Sequence, residues 1–349
     1  MNPKNESDSR MKIAVIGAGA IGSIIAAYLT KAGKDVVLIG REEQVQAIKT
    51  NGLTIRGIGK DETIQIKALS RLDREYDLVI FATKTQDMEE AYHQNSDYLE
   101  NCYVLTTQNG VQNDNILSSH FERHKQLSSI VMFGATYTTP GEIVYNFPGD
   151  WIIGKPFSPN DPYFNQVINT LTTSQLPLVV SDNITGMKYL KLFVNFNNCI
   201  PALLGRSMQE TFADLDLCRL SIRLLKEGLD IVSKVNIDLV SLPGFPKERI
   251  LGLVHMPEDQ AAGILQQSLT KLSREPLYGS ILQSIMRGKP SEIDFINGEV
   301  VALAKGMQHE ARLNERMVDM VHSVERTQKY FMIEEIKEKF RLTEKAYKD

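Results

Sequence analysis

Along the first half of the chain, short unbroken apolar runs alternate with stretches of helical period, the pattern of strands buried on both faces and joined by helices. The first run, Lys12 to Ile16, ends directly in a glycine turn, Gly17, Gly19 and Gly22. Ile21 to Gly33 then supplies a helix closed by glycine, and Lys34 to Gly40 a second strand. Shorter strands are predicted at Leu53 to Arg56 and Thr63 to Lys67, and buried parallel strands at Asp77 to Thr83 and Tyr103 to Thr107. Between Ser129 and Gly154 three close strands predict an antiparallel extension of the same sheet, with Trp151 as a packing residue. A helix from Pro162 to Ser174 and a strand from Leu178 to Val180 complete this half.

From Asn183 onward the period is helical, at Thr185 to Leu204, Leu215 to Val232, Ser291 to Lys305 and Asn314 to Val324. LPGFP at Leu242 to Pro246 and the stretch Arg287 to Pro290 break the helices apart. The charged tail, Glu334 to Asp349, predicts a solvated terminal helix. The fold class is therefore α/β: an N-terminal Rossmann-type doubly wound sheet over residues 11–182, then a mainly α-helical domain over 183–349. Residues 1–10, MNPKNESDSR, are polar without an apolar core and predict a disordered leader, with Met11 as an alternative start.

Composition narrows the partners. With 42% hydrophobic and 23% charged residues and a net charge of -4, the 349 residues suit a soluble protein and lack the basic footprint of nucleic-acid binding. No apolar run reaches the roughly 18 residues that span a bilayer. Three widely spaced cysteines, Cys102, Cys199 and Cys218, suit a reducing cytoplasm. The six histidines form no HxH pair, their one HxxxH spacing, His120 and His124, stands without a third ligand motif, and no CxxC is present, so no metal is expected.

The glycine turn carries the first chemistry. Gly17, Ala18, Gly19, Ala20, Ile21 and Gly22 form a GxGxxG turn between a strand and a helix, where the backbone approaches a pyrophosphate and the helix N-terminus faces it. Arg41 lies nineteen positions beyond Gly22, where the adenosine ribose is read. An arginine there accommodates a 2′-phosphate, so NADP(H) is expected over NAD(H); Glu42 or Glu43 on the ribose is the alternative. Lys84 and Asn109 follow the two later strands, at the sheet edge where ligands bind.

In the predicted helix Thr185 to Leu204, Lys191, Asn195 and Asn198 lie within about 60° of one another on one face of an otherwise apolar segment. Such a stripe is costly unless its groups are paired or used, the alternative being an exposed polar face. Ser280 follows Gly279, and Glu292 follows Ser291, which reads as a helix N-cap with Glu292 in the first turn.

These pieces resemble the ketopantoate reductase (2-dehydropantoate 2-reductase) family: GAGAIG with Arg41, TK at Thr83 and Lys84, QNG at Gln108 to Gly110, KLxxN at Lys191 to Asn195, and SEIDFING at Ser291 to Gly298. The matches run in order from Met11 to about Val324. The resemblance implies NADPH-dependent reduction of 2-dehydropantoate to (R)-pantoate on the way to pantothenate and coenzyme A. It implies Lys191 as general acid, held protonated by a nearby Glu292. Glu292, Ser280, Asn195, Asn198 and Asn109 would hold the substrate, with Lys84, Asn109 and Glu292 on the nicotinamide side. One position departs: where the family carries a second asparagine eight residues after the lysine, this chain has Cys199, and Asn198 would stand in. The implied partners are a small 2-oxo acid and, at most, a second copy in a homodimer. Two alternatives stand beside this reading: a reductase of another branched 2-oxo acid, and a non-catalytic NADP-binding redox sensor.

Overall fold

The computed structural model describes residues 10–173 and 175–342. The leader other than Arg10, the last residue of the predicted helix at Ser174 and the tail beyond 342 lie outside the described residues. The described chain divides into two compact units. One runs to Thr185 without Asn109–Val111; the other comprises Asn109–Val111 and everything from Gly186.

The first unit is built on an eight-stranded sheet. In chain order its twelve strands are β1 (Lys12–Ile16), β2 (Asp35–Ile39), β3 (Leu53–Gly57), β4 (Glu62–Ile64), β5 (Lys67–Leu69), β6 (Leu78–Phe81), β7 (Tyr103–Thr106), β8 (Gln126–Val131), β9 (Gly134–Thr139), β10 (Glu142–Phe147), β11 (Trp151–Gly154) and β12 (Leu178–Ser181). Eight of them line up as β12-β11-β8-β7-β6-β1-β2-β5, and only the β8–β11 pair is antiparallel. Alternation along each strand sorts the core into two layers. Ile13, Val15, Leu38 and Ile80 face one cluster, and Ala14, Ile16, Val37 and Phe81 the other. Because both faces are covered, the central strands β1, β2 and β6 are apolar over nearly their whole length.

The remaining strands form a separate sheet, β4-β3-β10-β9. This corrects two expectations. The hairpin at Gly134–Phe147 is not an extension of the main sheet: β10 pairs in parallel with β3, Glu142 opposite Thr54. The single strand expected at Thr63 to Lys67 is two, β4 in the small sheet and β5 in the large. Only β11 is the antiparallel addition that the pattern predicts, and its Trp151 is fully buried with Nε1 donating to Ser129 Oγ at 2.9 Å. The small sheet has a packing purpose. Its Ile55, Ile143 and Tyr145 share one cluster with Ile24, Ile25 and Tyr28 of the helix Ala20–Lys31. That helix is buried from Gly22 to Leu29, on every side, which explains a sequence too apolar for a half-exposed helix.

The second unit is helical apart from short connections. Its longest helix, Leu215–Lys234, is capped by Asp214, whose carboxylate accepts from Asp216 N at 2.9 Å and Leu217 N at 3.3 Å. Gly228 in this helix lies against Phe193 and Phe196, both fully buried, and a Cβ there would stand 2.9 Å from each ring.

Two helices differ from expectation. The segment Thr185 to Leu204 is not continuous: an α-helix, Ile184–Asn195, tightens to a 3₁₀ turn at Phe196–Asn198 and resumes as Cys199–Leu204. Ser291 is not an α-helical N-cap either. A 3₁₀ turn at Ile293–Phe295 intervenes, and the helix begins at Asn297. The described part of the tail, to residue 342, is also less solvated than its charge suggests. Helix Ile333–Lys339 buries Ile336 and is followed by buried Phe340, while Lys337 pairs with Asp214 at 2.9 Å and Asp216 at 3.1 Å. Among the described residues no helix is long and apolar enough to cross a membrane.

Candidate functional site

In the first unit the glycine turn is shaped by what a side chain would collide with. Gly17 has φ +115°, and a Cβ on it would lie 2.6 Å from the backbone of Ala82 and Thr83 at the end of β6. Gly22 is packed so closely on Gly17 O and Ala82 that a methyl group has no room, which brings the helix onto the strand. At Gly19, by contrast, an added Cβ meets nothing within 4 Å. The helix it opens has no side-chain cap and no acidic residue in its first turn, so the amides at Ala20 and Ile21 lack a side-chain acceptor.

Beside this turn, Thr83 Oγ1 and Thr85 Oγ1 are buried without a hydrogen-bond partner. Buried hydroxyls without partners are costly, and Thr83 adjoins the turn in which Gly19 leaves open space. These features fit a dinucleotide pyrophosphate. Lys84, half-buried between the two threonines, precedes the 3₁₀ turn Thr85–Asp87.

Ala18 fills the space where Gly40 would carry a Cβ, so the end of β2 is set directly against the glycine turn. Arg41 is the next residue, exposed at the N-cap of helix Glu42–Asn51, and it makes no ion pair among the described residues. Glu42, the alternative ribose ligand, is engaged elsewhere. Its carboxylate accepts from Gln46 Nε2 at 2.6 Å, and that bond and one from Ser70 hold its pKa below the usual carboxylate range.

In the second unit, the stripe survives the break in its helix. A 3₁₀ turn has about three residues per turn, so Asn198 falls almost directly over Asn195. Lys191, Asn195 and Asn198 are all half-buried, and none has a hydrogen-bond or ion-pair partner among the described residues. Burial pushes the Lys191 ammonium below the ordinary lysine pKa. The expected pull of Glu292 on Lys191 is not found: burial is the whole cause, and no ion pair joins the two.

Asn198 lies against Gly279, where a Cβ would come 2.6 Å from Asn198 Oδ1, so it neighbours exposed Ser280 at the start of helix Ser280–Met286. Cys199 turns away into the core. It is fully buried, its thiol donates to Phe196 O at 2.9 Å, and burial pushes its pKa to about 12.

Asn109 and Glu292 are brought together: Asn109 Nδ2 donates to Glu292 Oε2 at 3.2 Å. Gly110, at φ +82°, lets the chain lie on Phe295, where a Cβ would be 2.5 Å from Phe295 O. Several supports escape sequence reasoning. Ser291 N donates to Glu325 Oε1 at 2.7 Å, and His322 bonds both Glu325 Oε2 at 2.8 Å and Asp294 Oδ1 at 2.9 Å. Behind them, buried Asn297 donates to Asn314, which donates in turn to Glu227 at 2.8 Å. Asp294 stands in a segment singled out by the sequence; its partner 28 positions away carries no local signal. Among the described residues no group of three or more His, Cys, Asp and Glu side chains could hold a metal ion.

Comparison with known proteins gives a consistent result. Residues 13–156 match the family model described as ketopantoate reductase PanE/ApbA, and residues 183–325 match that of its C-terminal part. A 2-dehydropantoate 2-reductase of Pyrococcus abyssi is 32% identical over 306 residues, 87% of this chain and 94% of that protein. Two solved structures are similar in fold. D-mandelate dehydrogenase with NADH and anilino(oxo)acetate has a TM-score of 0.77 at 23% identity, covering 91% of this chain and 99% of the other. A PanE/ApbA family ketopantoate reductase from Ralstonia eutropha has a TM-score of 0.76 at 24% identity with the same coverage, 91% and 99%.

Proposed function

The chain belongs to the ketopantoate reductase PanE/ApbA family, and from that premise we propose that it reduces 2-dehydropantoate to (R)-pantoate with NADPH, a step toward pantothenate and coenzyme A. Membership makes it an oxidoreductase acting on CH–OH groups with a nicotinamide cofactor. The observation that carries the finer reading is the stripe of Lys191, Asn195 and Asn198, half-buried in an apolar helix with no partner of its own. Polar groups held that way are disfavoured unless a ligand uses them.

When bound, the reduced nicotinamide supplies hydride to the carbonyl carbon. Lys191 Nζ gives its proton to the oxygen on which charge develops, and an ammonium with a lowered pKa releases that proton more readily than an ordinary lysine. Asn195 and Asn198 donate to the 2-oxo acid from the same face, and Ser280 adds a hydroxyl beside Asn198. Glu292 holds the substrate hydroxyl, with Asn109 fixing one carboxylate oxygen. Toward the cofactor, Gly17 to Gly22 receive the pyrophosphate, Lys84 lies on the nicotinamide side, and Arg41 reads the 2′-phosphate. Support for NADPH over NADH is the exposed, unpaired Arg41 beside the turn, with Glu42 already engaged.

Purified protein should consume NADPH on addition of 2-dehydropantoate and form (R)-pantoate, identified by chiral chromatography. Rapid turnover of a different branched 2-oxo acid with none of 2-dehydropantoate would replace the substrate. Tight NADPH binding with no turnover of any 2-oxo acid would make the protein a sensor.

A further inference from the structure

Glu292 sits on a short stretch of non-repetitive backbone, φ -100° and ψ 27°, where no regular helix holds it in place. Its two flanks are nevertheless tied to one turn of the helix Arg312–Thr327. On the N-terminal side, Ser291 N donates to Glu325 Oε1 at 2.7 Å; on the C-terminal side, Asp294 Oδ1 is 2.9 Å from His322 Nε2. His322 and Glu325 share a helix face at i, i+3 and are themselves joined, Nδ1 to Oε2, at 2.8 Å. Between the two anchors only Glu292 and the fully buried Ile293 remain.

We propose that His322 is a positioning residue: with Glu325 it clamps both flanks of Glu292 and so fixes where that carboxylate meets the substrate. The proposal rests on the assignment of Glu292 to substrate binding. The clamp is built for aim more than for fold stability. The His322 side chain is 32% exposed and Asp294 54%, so little apolar burial depends on the pair. Its loss releases the segment that carries Glu292, and the position of a binding carboxylate governs substrate affinity steeply. Asn109, at 3.2 Å and from a separate loop, engages the carboxylate end but not the backbone behind it.

The test compares wild type with His322→Ala and Asp294→Ala in two readouts. Backbone hydrogen exchange over 291–297 should accelerate in both variants by roughly 10-fold or more, and the double variant should add nothing further. KM for 2-dehydropantoate should rise about 10-fold in each, while NADPH affinity stays unchanged. His322→Gln, which keeps a donor and an acceptor in that place, should recover part of both effects, and it replaces the alanine variant if that one fails to fold. Unchanged exchange in the alanine variants overturns the clamp, whatever the kinetics. Faster exchange with unchanged KM overturns its role in aiming Glu292. If wild type reduces no 2-oxo acid, the functional assignment fails and exchange alone still decides the clamp.

Discussion

The two units hold their candidate chemistry by opposite means. In the first, backbone shape defines the cradle: Gly17, Gly22 and Gly40 matter for the side chains they lack, and Gly19 for the space it leaves. In the second, Glu292 is held by a side chain from a distant segment, Asn109, and its flanks by Glu325 and His322, while the stripe Lys191, Asn195 and Asn198 lies in an apolar helical segment. A site made of missing atoms announces itself in a short run of sequence. A site made of supported atoms shows its working residues and hides the supports.

Substitution tests this contrast most sharply at Lys191. Lys191→Met should lower turnover by roughly 10²-fold or more with little change in NADPH affinity. The same change should raise the melting temperature at neutral pH, because it removes an ammonium that burial disfavours. The sign is set by the lowered folded pKa: the destabilisation by wild-type Lys191 is complete below that value and fades as pH rises toward the unfolded value of about 10.4. A melting temperature that falls would remove the claim that this lysine is kept at a cost.

Gly22→Ala attacks the other kind of site. A methyl group there meets Gly17 O and Ala82, so a loss of about 1–3 kcal/mol in stability and a clear weakening of NADPH binding are expected. Equilibrium unfolding and fluorescence titration measure both. Retained affinity would mean that the turn can open without harm.

Arg41→Ala should weaken NADPH binding by roughly 10-fold and leave NADH binding nearly untouched, the loss of a charge-assisted contact to phosphate. Equal losses for the two cofactors would take Arg41 away from the 2′-phosphate.

A smaller effect is expected from pH. Burial lowers the His322 pKa, but its bonds to Glu325 on the same helix and Asp294 on the facing turn outweigh that and leave it raised. Its stabilising contribution is therefore full below the unfolded value of about 6.5 and is lost as pH rises through the folded value. NMR titration of the His322 ring should place its midpoint above that of a free histidine, and His322→Gln should flatten the accompanying change in stability.

The smallest response should come from thiol reagents. Cys102, Cys199 and Cys218 are buried, and burial pushes each pKa to about 12, so native protein should react no faster than it unfolds.

What was legible in the sequence follows the same divide. β1, the first helix and β2 lie within a residue or two of their predicted limits, because each is set by a local apolar run and a glycine. The small sheet was not legible, since its defining pair, Thr54 with Glu142, joins residues far apart and no local pattern encodes which sheet a strand will enter. In the second half the stripe Lys191, Asn195 and Asn198 could be listed from helical spacing, yet the tightening at Phe196–Asn198 could not. Cys199 looked like a gap in the site; the extra rotation places it in the core instead. Ser291 looked like a cap because a serine before an acidic residue usually is one, but its amide is claimed by Glu325, a residue no local motif connects to it.

The second unit is not a continuous piece of chain, for it includes the tripeptide Asn109–Val111. A fragment cut at residue 186 would therefore lack the amide that Glu292 accepts from and the glycine seated on Phe295. Anyone grafting the helical half of a relative onto this chain must transplant those three residues with it, so recombination between family members is constrained at a point far from the apparent seam.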